Sequence, residues 1–235
     1  MVVTVPQTLE ASITQAVEAT RAAIAAGKSR LQVEIAIPEL KAMPVAEQFL
    51  KQYPDLASTV KVFFSDAGAA ALARRDWEGI SCSVHGLEEL WDPVQPEDEA
   101  FLVVASTPVE IQQVEKICEQ AGDRPFILLN PQLQDVAVIG IGMAGRQLRE
   151  RFISTIEICY YLQPLEQGVL LRSFPGAWQL WWEQESEEYE LLGENETRPS
   201  SDRMAEMMEP LTQSSKAPKP GILQSLQQFI NVLSR

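Results

Sequence analysis

Gly140, Gly142 and Gly145 stand at G-x-G-x-x-G spacing, behind the apolar run VAVIG and ahead of the arginine-bearing stretch GRQLRERF. That spacing can bring backbone N–H groups and a helix N-terminus against a dinucleotide pyrophosphate. Such a site also needs the first βα turn of its unit, and an acid closing the next strand, about 20 residues on, for the ribose hydroxyls. Here the glycines come after several strand-like runs. The following run, TIEICYYL, carries its acid, Glu157, at its start and closes on Leu162 and Gln163. Only a few polar residues separate VAVIG from the strand before it, too few for a crossover helix. The glycines therefore read as a bend that lets backbone and helix pack closely, and no cofactor is expected.

Other reactive side chains are sparse. Cys82, Cys118 and Cys159 are odd in number and far apart, which is neither a disulfide framework nor zinc-ligand spacing. They read as reduced, semi-buried small residues. The single histidine, His85, cannot build a multi-histidine metal site and reads as structural. There is no nucleophile elbow, no His–Asp partnership and no carboxylate cluster with metal-loop spacing. A better crevice lies beyond the ends of the buried strands, where open α/β sheets hold ligands. Ser65 and Asp66, Ser106 and Thr107, and Asn130 are the polar residues there. Helices starting near Asp66 and Thr107 could offer N–H groups to an anion. The competing reading makes Asp66 and Thr107 plain helix caps.

The elements that must position these residues follow from periodicity. Leu9, Ile13, Ala16, Val17 and Ile24 form one face of a helix over 9–26, with Thr20 bridging the gap, Thr8 as cap and Gly27 as stop. RLQVEIAI alternates as a strand, Pro44 opens a second helix, TVKVFF is a strand, and SDAGAAALARR is a capped helix. GISCSVHG is a further strand, followed by an acidic, proline-bearing loop over 87–99. AFLVVAS and RPFILLN are apolar throughout, as strands buried on both faces are. Between them TPVE opens a helix, with Thr107 as N-cap and Glu110 closing a capping box, and Gly122 ends it. Alternating helices and buried strands predict a Rossmann-like α/β three-layer sandwich with a mostly parallel sheet.

After Arg151 the texture changes. FISTIEICYYL, GVLLRSF, AWQLWWEQ and YELLGE are strand-like runs with short turns, predicting an antiparallel extension on the C-terminal side. In AWQLWWEQ, alternation puts Trp178, Leu180 and Trp182 on one face and Trp181 on the other. Trp181 is either covered or an exposed anchor for a partner. The expected organisation is an α/β domain with its β extension over 1–193, a flexible linker over 194–220, and an amphipathic docking helix over 221–235. In that last segment Ile222, Leu223, Leu226, Phe229, Ile230 and Leu233 form a broad apolar stripe. The stripe has three candidate occupants: its own domain, a partner's groove, or a membrane surface near Lys216, Lys219 and Arg235.

Charge narrows the partners. The 33 acids exceed the 19 bases, for a net charge of −14. Such a surface repels nucleic acid and anionic lipid at long range, so no nucleic-acid partner is expected. No run approaches the roughly 18 apolar residues of a membrane span. The N-terminus lacks the basic and apolar regions of a secretory signal. A cytoplasmic or stromal protein is expected.

Several pieces in order, PQTLEASITQAVEATRAAIAAG, RLQVEI, ILLNPQL, RERFISTIEICYYLQPL and FPGAWQLW, carry a resemblance over about Pro6 to Pro199. They resemble a domain of unknown function of cyanobacteria and chloroplasts. That family includes the "low photosystem II accumulation" auxiliary proteins of plants and a domain appended to a chloroplast adenylate kinase. Asn130, Pro131, Arg151, Phe152, Tyr161 and Pro175 fall on its recurrent motifs, which have no defined chemistry. The resemblance implies a non-enzymatic assembly factor that binds photosystem II subunits or other assembly factors, peripheral to the thylakoid membrane. The alternative from a different class is a nucleotide- or phosphometabolite-binding enzyme, or a regulatory subunit, using the Ser65–Asn130 crevice.

Overall fold

Thr8 begins helix α1 (Leu9–Ala25), its Oγ1 accepting the Ala11 N–H at 3.0 Å. The buried face of α1, Leu9, Ile13, Ala16, Val17 and Ala23, lies against one side of the sheet. The chain continues through β1 (Arg30–Ile35), α2 (Ala42–Gln52), the single turn α3 (Pro54–Ala57), β2 (Val60–Phe64), α4 (Ala67–Asp76) and β3 (Ser83–Gly86). Then come β4 (Ala100–Val104), α5 (Ile111–Ala121), β5 (Phe126–Leu129), α6 (Met143–Arg151) and β6 (Glu157–Leu165). The strands β7 (Gly168–Ser173), β8 (Trp178–Glu183) and β9 (Tyr189–Asn195) and the helix α7 (Ser201–Thr212) complete it. This computed structural model describes residues 4–89, 91–133, 143–184, 186 and 188–212.

One sheet holds all nine strands, in the order β3-β2-β4-β5-β1-β6-β7-β8-β9. The first six in that order run parallel, and β7, β8 and β9 continue antiparallel from β6. The α/β architecture with a mostly parallel sheet and an antiparallel C-terminal extension is as expected. In β4, Leu102 and Val104 point into one core, shared with α1, α2 and α4. Phe101 and Val103 point into the other, shared with α5, Leu148 of α6 and Phe152 just past it. Helices on both faces explain why β2, β4 and β5 are buried throughout.

Local boundaries differ from expectation in four places. The predicted flexible linker over 194–220 is wrong in its first part: β9 runs to Asn195, and 201–212 is helical. Its apolar stripe is made of methionines, Met204, Met207 and Met208, inside a run of Ser, Asp and Glu that lowers the mean hydropathy. Ser200 caps it, its Oγ accepting the Arg203 N–H at 3.2 Å. The helix predicted from Thr107 starts at Ile111 instead. Thr107 and Glu110 still pair, but as a turn ahead of the helix. The strand drawn over GISCSVHG is only Ser83–Gly86, paired on one side with β2. Residues 152–155, expected in a strand, end α6 and form a 3-10 turn. Gly140, Gly142 and the predicted 221–235 helix lie outside the described residues; Gly145 falls within α6.

Candidate functional site

The connections out of β1 and β2 lead to helices on one face, and those out of β4 and β5 lead to the other. Neighbouring strands whose connections part in this way leave a crevice at their carboxyl ends. A cleft of about 1130 Å³ opens there, walled by the β1–α2 connection, the ends of β2, β4 and β5, and α4. Its size lies just above the usual range of ligand sites, roughly 300–1,000 Å³.

Backbone conformation sets its shape. Among the described residues, three besides glycine have positive φ: Glu39 at 63°, Ala105 at 52° and Asn130 at 46°. All three line this cleft. Left-handed backbone costs on the order of 1–3 kcal/mol at such residues and tends to gather at binding sites. Asn130 is the least strained type for this conformation. Its Oδ1 accepts the Ile35 N–H at 2.8 Å, its Nδ2 donates to the Ile35 carbonyl at 3.3 Å, and its own N–H reaches the Val33 carbonyl at 2.8 Å. One residue thereby ties the end of β5 to the end of β1. Ala105 donates its N–H to the Leu129 carbonyl at 2.9 Å, tying β4 to β5 in the same way.

The predicted crevice residues separate into two groups. Ser65 and Asn130 line the cleft, with the family-motif residue Pro131 beside them. Asp66 caps α4, its Oδ1 accepting the Ala69 N–H at 2.8 Å. Thr107 donates both its N–H and its hydroxyl to Glu110 Oε2, at 2.9 and 2.6 Å. Ser106 is fully buried; its carbonyl accepts the Gln132 N–H at 2.8 Å, and its Oγ has no hydrogen-bond partner among the described residues. The Asp66 carboxylate thus occupies the start of α4, where an anion would need free N–H groups, while the Glu110 carboxylate is turned back to Thr107 and caps no N–H of α5. The cleft wall is mixed: carbon from Met43 and the partly exposed Leu72 alternates with the polar side chains of Ser65, Asn130, Gln132 and Gln163. Glu34, only 6% exposed, also lines it and accepts a hydrogen bond from Gln32 Nε2 at 2.8 Å.

Sequence reading missed the β1–α2 wall and Glu34. The signal was Pro38 in IAIPELKAMP, which follows the end of β1 and keeps the chain out of a strand before α2 begins at Ala42.

The remaining motif residues are structural. Arg151 makes a two-pronged pair with Glu115, at 2.6 and 2.8 Å, which fastens α6 to α5 and holds the Glu115 carboxyl below its usual range. Phe152 is buried in the second core. Tyr161 packs against Trp178 with the rings tilted by 54° and 5.1 Å between ring centres. Its hydroxyl donates to Gln163 at 2.9 Å and accepts from Arg198, and burial, reinforced by Glu34, pushes its pKa up to about 12. Pro175 stands in the β7–β8 turn after a cis peptide. Trp181 is half-buried on the α1 side of the sheet, its Nε1 donating to Gln179 at 3.3 Å. Burial pushes Cys82 and Cys118 up to about 11 and Cys159 to about 12, which keeps the thiols protonated and unreactive. His85 pairs with Ser83 Oγ at 2.7 Å, and burial lowers its pKa.

No solved structure matches the chain. No helix among the described residues is long and apolar enough to cross a membrane. Residues 6–206 match the family described as a domain of unknown function, DUF1995. That span takes in all nine strands, the cleft and the first six helices, so the chain belongs to the DUF1995 family.

Proposed function

We propose that this protein is a non-enzymatic accessory factor that supports photosystem II assembly by binding a protein partner at the thylakoid surface. In this reading the cleft takes polypeptide rather than a phosphorylated small molecule. The photosystem assignment rests on the resemblance to the plant auxiliary proteins. The preference for polypeptide rests on one observation: a carboxylate of the chain itself, Asp66, already accepts the Ala69 N–H at the start of α4. A phosphate brought to that helix start meets like charge where it needs exposed N–H groups. The mixed wall, by contrast, offers both carbon and hydrogen-bonding groups, as a polypeptide does.

A pull-down from thylakoid membranes tests this, using the full chain and Leu72→Glu. Leu72 lines the cleft and is 43% exposed, so the substitution places charge on the wall without opening the core. Photosystem II subunits should co-purify with the wild type and be depleted roughly ten-fold with the variant. Saturable thermal stabilisation by a nucleotide or sugar phosphate, lost in Asp66→Ala, would instead establish the enzyme or regulatory-subunit alternative.

A further inference from the structure

Trp91 is 100% exposed. Tryptophan is among the most buried residues on average, and covering its indole is worth more than covering almost any other side chain. The residue sits on the connection between β3 and β4, and described residues on either side of it, Glu89 before and 93–98 after, are held in place. Lys61, on β2, sends its ammonium to Asp98 at 2.6 Å and to the Pro93 carbonyl at 3.3 Å, with both charged side chains about nine-tenths covered. Asp98 Oδ2 also accepts the Gln95 N–H at 2.8 Å. Arg124 donates to the carbonyls of Gln95 and Asp98, each at 2.8 Å, and stacks on Phe101. At the other end Glu89 accepts the Gly86 N–H at 2.7 Å and pairs with Arg74. Three cations and a web of backbone bonds therefore brace a loop whose largest described side chain points into water. Bracing of that kind lowers the ordering cost of a contact before any partner arrives.

The exposed charges of this connection are acidic, while Lys61, Arg74 and Arg124 are each engaged with its acids or carbonyls. Between Arg75 and Lys116 the chain has ten acids and no lysine or arginine. Glu88, Asp92, Glu97 and Glu99 of the same connection are exposed. A second copy of this chain would bring the same acids, and nucleic acid or an anionic bilayer would bring phosphates; all three are repelled. A basic surface is attracted, and a guanidinium or ammonium can also lie over the indole face.

We propose that the 87–99 connection is a docking element for a cationic protein surface, with Trp91 as its apolar anchor and Glu88 and Asp92 as its flanking charges. It is separate from the strand-end cleft and stands whether or not that cleft binds polypeptide. The probe is a short synthetic peptide of alternating arginine and leucine, with a glutamate–leucine peptide as its control. Binding to the full chain is measured at about 0.3 M salt, where diffuse attraction between exposed charges is screened. Trp91→Ala should weaken binding of the arginine peptide roughly ten-fold, and Trp91→Phe should weaken it less. Val109→Ala removes another exposed apolar side chain, 87% exposed, outside this loop and should leave binding within about two-fold.

The inference falls if the wild type does not bind at that salt, if Trp91→Ala binds as the wild type does, or if the glutamate peptide binds equally well. It also falls if Trp91→Ala abolishes self-association or binding to anionic vesicles instead. Loss of the arginine peptide in Trp91→Ala, alongside a failed photosystem II pull-down, would retain the docking element and discard the assembly reading.

Discussion

Asn130 holds the strand-end cleft in shape by two separable means. Its backbone is left-handed, and its amide brackets both polar groups of Ile35. Asn130→Gly keeps the backbone conformation and loses the bracket; Asn130→Ala loses both. Urea unfolding should show a cost of about 1–2 kcal/mol for glycine and about 2–4 kcal/mol for alanine. Equal costs would mean that the positive φ contributes nothing. The buried cysteines show the opposite case, residues with chemical potential that the fold silences. Cys159 lies next to Thr20 Oγ1 at 3.7 Å and the Gln32 carbonyl at 3.3 Å, in an apolar core that disfavours a thiolate.

At the scale of elements, the antiparallel extension depends on how closely β7 and β8 approach. A Cβ added at Gly168 would stand 2.1 Å from the Trp181 carbonyl oxygen, far inside any real contact. Gly168 pairs with Trp182, so relief would require separating the two strands at that end. Gly168→Ala should destabilise the protein by about 3 kcal/mol or more in thermal or urea unfolding, at the upper end of single-residue effects. Gly27→Ala is the control. Gly27 has a positive φ of 79° but nothing within 4 Å of an added Cβ, so its cost should stay near 1–2 kcal/mol. Helix α7 belongs to the same extension. Met204 packs by the cluster of Tyr161, Leu170 and Trp178, and Arg198 lies over both rings, at 4.4 and 5.7 Å.

For the whole molecule, all nine strands and both principal cores lie between Val5 and Asn195. If residues 221–235 form a docking helix, removing 216–235 should leave the unfolding midpoint within experimental scatter. If the docking role expected for residues 222–233 is right, the same truncation should lower recovery of partner proteins in the thylakoid pull-down. A truncated protein that unfolds much earlier would show that the segment serves the domain's own stability. The net charge of −14 acts at the same scale. It speeds encounter with basic partners at low salt and fades as ions screen it.

Periodicity and burial pattern were enough to read most of this fold. Strand runs such as AFLVV and FILL are apolar at every position because both faces are covered, and that property is local to the run. Helix starts at Thr8 and Asp66 were legible because a cap is a contact between residues three apart. The Met-lined α7 was not legible, since its stripe acquires meaning only against Trp178 and Tyr161, distant in the chain. The cleft was half legible. Ser65 and Asn130 could be placed at strand ends, but the order β3-β2-β4-β5-β1-β6 decided which ends meet. The β1–α2 wall, the left-handed Ala105 and the bracing of the Trp91 loop by Lys61 and Arg124 came only with the tertiary structure. Each depends on pairings between residues tens of positions apart, which a local pattern does not encode.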